Sequence, residues 1–213
     1  MRATYREERE KQQGKRARGW ILGLKGMVGI GLMSWALLMP SIGIGSHGES
    51  LARDLVDKAL RQLNLAIQQA VLAQLRPSPA EVQVHAQVVL NLLQGRNGPD
   101  YNAVTAPDPG DGVGVIPYVQ ELQAQPIFQG ESNESVQLNL ENVLVYLRQA
   151  VDYAKMALSE RSLTQARHQM RQALAFLSAA KGREREITVA GGLLVLRARL
   201  TPAQRPGSQQ SEK

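Results

Sequence analysis

A run of 21 residues without a charge, Gly26–Ser46, follows a strongly basic start. Wound as a helix at about 1.5 Å per residue, it reaches roughly 31 Å, enough to cross the hydrocarbon of a bilayer. Lys25 is the single charge within residues 20–46. With Trp20 it suits a membrane interface, where the lysine stem lies along apolar surface and its ammonium reaches water. Residues 1–25 hold eight basic and three acidic side chains, whereas the rest of the chain holds 17 and 16. Basic flanks stay inside the cell. The pattern therefore predicts a cytoplasmic tail over 1–19, a transmembrane anchor over 20–46 in a bacterial cell membrane, and an extracytoplasmic domain from residue 47.

The same segment also reads as a signal peptide. Met27–Met39 would be its apolar core, Pro40 a helix break, and Ser41, Gly43 and Gly45 the small residues before cleavage. Cleavage near Gly43 or Gly45 would secrete the domain. The apolar run is long and the cleavage region lacks the usual alanines, which favours the uncleaved anchor.

Because the excess charge sits in the tail, the isoelectric point of about 9.8 reports membrane orientation, not a polyanion-binding face. Aromatic residues make up only 4%, too few for base-stacking platforms. No nucleic-acid partner is expected. The chain has no cysteine, which excludes disulfides, iron–sulfur clusters, thiolate zinc sites and covalent haem.

Beyond the membrane the apolar periodicity is helical and the fold class is all-α. A first long helix is predicted from about Glu49 to Arg76, with Leu51, Leu55, Ala59, Leu63, Ile67, Ala70, Val71 and Leu75 on one stripe. Ser78, Pro79 and Glu81 form a capping box that opens a second helix, which Gly95 stops after Gln94. Pro117 starts a short helix that Pro126 breaks. A third long helix is predicted over about Asn133–Glu160, and a fourth from Ser162, with Gln165 completing a second capping box, to Gly182. Short connections imply antiparallel neighbours, hence a four-helix up-down bundle over 47–182. In that bundle Leu63, Ile67, Leu144, Leu147, Met170 and Leu174 are expected at the interface. Residues 184–200 form a docking strand or helix within a C-terminal extension, 183–213, that ends in a disordered tail.

Two places could carry chemistry. His85 shares a face with Val82, Val89 and Leu92, so it points inward or to the edge of that face. Bundles hold haem or metals through such histidines, although a lone His more often hydrogen-bonds a neighbour. His168 should be exposed and His47 lies at the membrane boundary. The long loop 95–115 gathers Asp100, Asn102, Asp108 and Asp111 among glycines and prolines, as calcium loops do. Its spacing lacks the regular calcium-loop pattern and the bidentate Glu, and turn chemistry accounts for the same residues. His85, Asp100, Asp108 and Asp111 are the candidate metal ligands, with calcium as the ion. No nucleophile elbow, phosphate loop, dinucleotide fingerprint or zinc-protease helix appears.

The run H-A-Q-V-V-L-N-L-L-Q-G from His85, followed by G-P-D-Y and D-P-G-D-G-V-G, resembles a segment of uncharacterised exported bacterial helical proteins. The likeness covers residues 85–114. In those proteins the loop is richer in Asp and Gly, where this chain has Ala103-Val104-Thr105-Ala106. The resemblance implies export and a helical domain, and no activity. Together these readings point to a non-enzymatic structural or protein-interaction module that contacts another protein, or a second copy, through helix faces. The alternative is a metal- or haem-binding bundle using His85 or the loop.

Overall fold

The computed structural model describes residues 44–183 and 191–201. The expectations for the basic tail, for the membrane or signal segment up to residue 43, and for the tail from 202 lie outside the described residues. Among the described residues no helix is long and apolar enough to cross a membrane. Ile44–Ser46 are the first turn of a helix that continues to Leu75.

The described residues form six helices and no strand. They are α1 (Ile44–Leu75), α2 (Pro79–Gln94), α3 (Val115–Gln123), α4 (Glu134–Ser159), α5 (Leu163–Lys181) and α6 (Leu193–Leu200). Single 3-10 turns at Pro126–Phe128 and Glu131–Asn133 lead into α4. Of the segment 184–200, read as a strand or a helix, Leu193–Leu200 is helical and 184–190 lie outside the described residues. The helices form a helical bundle in which α1 packs on α2 and α5, and α4 on α5 and α2.

The core follows a seven-residue spacing. On α1, Ala52, Ala59, Ala66 and Ala73 alternate with Val56, Leu63 and Ala70, all fully buried. On α5 the same spacing runs through Ala166, Ala173 and Ala180, with Met170 and Leu177. This is the two-position heptad that keeps one seam of a helix against its neighbours. Alanine at such positions lets helix backbones approach closely. The predicted α1 stripe therefore drifted at its ends: Leu51, Val71 and Leu75 are exposed. Among the six expected interface residues, Leu63, Leu144, Leu147 and Met170 are buried, while Ile67 and Leu174 are half-buried against the core.

Core residues of the first hairpin have counterparts 84 positions on. Ala52 pairs with Val136, Val56 with Leu140, Leu63 with Leu147, Ala73 with Ala157, Val82 with Ala166 and Leu93 with Leu177, and all are buried. Two long-range hydrogen bonds obey the same shift. Gln83 Nε2 donates to the Glu160 carbonyl at 2.9 Å, and Arg167 Nη2 donates to the Arg76 carbonyl at 2.8 Å. The α1–α2 and α4–α5 hairpins are therefore structural repeats that clasp each other reciprocally.

Caps differ in detail from expectation. Ser78 Oγ accepts from the Glu81 amide at 3.3 Å, while the Glu81 carboxylate accepts from the Ser78 hydroxyl instead of its backbone amide. Ser162 precedes α5 but makes no side-chain cap bond, so the second capping box is not formed. Gly95 and Gly182 end α2 and α5 at φ +69° and +80°. Each meets a second positive-φ glycine at the start of the next helix, Gly114 and Gly192. A Cβ on Gly114 would lie 2.5 Å from the Gly95 nitrogen, and one on Gly192 would lie 2.7 Å from the Gly182 nitrogen. In both halves the chain leaves a helix and returns to the same point.

Candidate functional site

The segment between Gly95 and Gly114 closes at its base through Arg96 N–H to the Gly112 carbonyl, 2.8 Å. Helix α2 supplies its support. Gln87, Asn91 and Gln94, spaced four and three residues apart, share one side of the helix, and Gln87 and Asn91 are buried polar residues. Asn91, 1% exposed, donates to the Asn102 and Ala106 carbonyls at 3.2 Å each. It accepts from Asn102 N–H at 2.9 Å and from Gln87 Nε2 at 3.0 Å. Gln87 also donates to the Asp100 carbonyl, 2.7 Å. Side-chain amides carry a donor and an acceptor, so they substitute for the backbone pairs that an irregular segment lacks.

The loop's acidic groups are engaged within the chain. Asp100 Oδ2 accepts from Gln94 Nε2 at 2.9 Å, and Oδ1 pairs with Lys155 Nζ of α4 at 3.0 Å. Burial pushes the Asp100 carboxyl up, but the Gln94 and Lys155 interactions outweigh it and hold it below the usual range. Asp108 accepts from its own loop at Gly110 N–H, 2.9 Å, and from the Tyr101 hydroxyl, 3.2 Å. Asp111 accepts from Val113 N–H, 3.0 Å, and from the Tyr118 hydroxyl, 2.7 Å. Its carboxyl is likewise lowered: burial acts upward and is outweighed by bonds from Tyr118, Val113, Gln62 and Gly114. Burial and the bond to Asp111 push the Tyr118 phenol up to about 12. Asn102, Asp108 and Asp111 each receive a backbone N–H two residues on, the local turn that this residue type makes.

His85 is half-buried, and its Nδ1 lies 2.7 Å from Gln69 Oε1 of α1. Burial lowers its pKa, Arg76 lowers it further, and Glu81 acts weakly upward. A neutral imidazole that donates from Nδ1 to an amide oxygen ties α2 to α1. His47 and His168 are exposed. The fold does not bring His85 and the loop carboxylates into one set: among the described residues no three His or carboxylate side chains gather as metal ligands. A cleft of about 440 Å³ at the start of α4 is lined by Glu134, Ser135, Gln137, Leu138 and Glu141. It offers two glutamates and no histidine or cation.

The residues that organise the loop, Gln87, Asn91 and Gln94, went unread in the sequence. Their signal was there. Three amide side chains on one face of a helix whose other residues are nearly all apolar must find partners when buried. No protein-family model, curated protein or solved structure matches the chain.

Proposed function

We propose that this chain is a non-enzymatic structural or protein-interaction module, a four-helix up-down bundle held at the outer face of a bacterial membrane. The observation that carries this reading is the engagement of the loop's acidic groups. Asp100, Asp108, Asp111 and the tyrosines beside them hold one another, the backbone and Lys155. The lowered carboxyls are ionised at neutral pH and so make poor general acids. Such a loop supplies a fixed shape more readily than a proton. The short links Arg76–Ser78 and Glu160–Ser162 between packed neighbours support the up-down order. On the outer side of α4, Leu138, Val145 and Met156 are 57%, 50% and 49% exposed at spacings of seven and eleven. That row supports contact through a helix face.

A periplasmic reporter fused after Lys213 tests the placement. It should be active outside the cytoplasm, with the basic tail retained in the membrane fraction. Activity confined to the cytoplasm would overturn the membrane reading. Val145→Glu should leave melting unchanged and abolish any cross-link formed by a reactive probe at Met156 in intact cells. Cross-linking that persists in the variant would overturn the helix-face contact.

A further inference from the structure

We propose that Arg76 and Arg167, at the end of the bundle where α1 meets α2, bind a phosphate-class dianion. Both guanidinium groups have an Nε–H that is closed off from solvent and has no acceptor. Buried polar atoms without partners are rare, and a charged one more so. Among the described residues neither arginine forms an ion pair with a carboxylate. Arg167 donates from Nη2 to the Arg76 carbonyl, and its side chain brings a full positive charge to residue 76.

The repeat shows that this charge is not needed for the clasp. Gln83, at the position equivalent to Arg167, makes the corresponding bond to the Glu160 carbonyl with a neutral amide. One half of the molecule thus holds its neighbour with glutamine and the other with arginine. The surplus is a positive charge and a forked donor set, the features with which arginine recognises oxyanions. Arg76, whose carbonyl Arg167 holds, carries a second cation at this end of the bundle, where its equivalent in the other half is Glu160. The nearby Glu81 is already the partner of Ser78. The first turn of α5 has no side-chain cap, so its free amides add partial positive charge at that end. Two cations with orphaned donors suit a doubly charged tetrahedral anion better than a carboxylate.

The test uses the full chain in detergent, with melting followed as sodium phosphate, sodium acetate or sodium chloride is added at matched ionic strength. The variants are Arg167→Gln, which can keep the carbonyl bond as Gln83 does, Arg76→Gln, and Arg161→Gln as an exposed control. Phosphate should raise the melting temperature of the wild type and of Arg161→Gln above the chloride curve, through preferential binding to the folded state. Arg167→Gln and Arg76→Gln should melt cooperatively without phosphate and bind it at least about tenfold more weakly, the scale of one lost charge-assisted bond. Phosphate behaving as chloride does in the wild type would overturn the proposal, as would undiminished binding in Arg167→Gln. An equal response to acetate would overturn the dianion class. If Arg167→Gln fails to fold, Arg76→Gln decides, because among the described residues the Arg76 side chain makes no hydrogen bond to another element.

Discussion

Replacing Asn91 with alanine removes four hydrogen bonds at once. The Asn102 amide and the Asn102 and Ala106 carbonyls lose their side-chain partner, while Gln87 keeps its bond to Asp100. An intramolecular hydrogen bond contributes roughly 0.5–1.5 kcal/mol net, and a buried group left unpaired costs about 1–3 kcal/mol. Two of the bonds are long at 3.2 Å, so the sum lies near the low end, about 2–4 kcal/mol. Loop 95–114 can open without unfolding the helices, so the loss divides between local and global terms. Urea unfolding reads the global part. Amide exchange at Asn102, Ala106 and Gly110 reads the local part, where about 2–4 kcal/mol corresponds to an acceleration of roughly 30-fold or more. Asn91→Asp should be at least as damaging, because a carboxylate would face two carbonyls. Unchanged exchange at all three amides, together with a urea stability within about 0.5 kcal/mol of wild type, would refute the claim that Asn91 organises the loop.

Leu147→Ala should destabilise by roughly 2–5 kcal/mol in urea, since Leu147 is fully buried and truncation leaves a cavity. His85 has a folded pKa below its unfolded one, so the folded state binds fewer protons. Stability should be full above about pH 6.5 and fall as the pH drops through that value, and His85→Gln should flatten this part of the profile. Tyr118 titrates near 12 when folded against about 10 when unfolded. Its contribution should therefore be lost as pH rises from 10 to 12, and Tyr118→Phe should remove that alkaline slope. Calcium at millimolar concentration should leave the melting temperature unchanged, because Asp100, Asp108 and Asp111 already accept from protein donors. A clear rise that Asp111→Asn abolishes would restore the calcium site.

Helix boundaries were legible where punctuation is chemical. Ser78-Pro79 opens α2, and Gly95 and Gly182 close α2 and α5, because only certain residues fit those backbone positions. The seam was legible only in outline. Leucines and valines marked a face, yet the buried line of α1 runs through alanines, which carry little hydropathy weight and are chosen for close approach. The 84-residue repeat escaped notice for a related reason. It conserves burial more than identity, as Val56 and Leu140 or Ala86 and Met170 illustrate. In the loop, aspartates drew attention as ligands, whereas the organising groups were amides from a neighbouring helix. Their role depends on pairings 6 to 15 residues apart, which local patterns do not encode.

The paired glycines make each interruption a detour with a common entrance and exit. Gly95 and Gly114 touch, as do Gly182 and Gly192, so the junction itself sets no length for the chain between them. Loop-closure entropy grows only slowly with length. The loop's sequence is a different matter: an exchange of residues 97–111 would leave Asn91 and Gln87 buried without their partners at Asp100, Asn102 and Ala106. The two halves already differ here, with 18 residues between one glycine pair and nine between the other. A single hairpin scaffold, used twice, thus accepts two lengths of chain at one kind of junction.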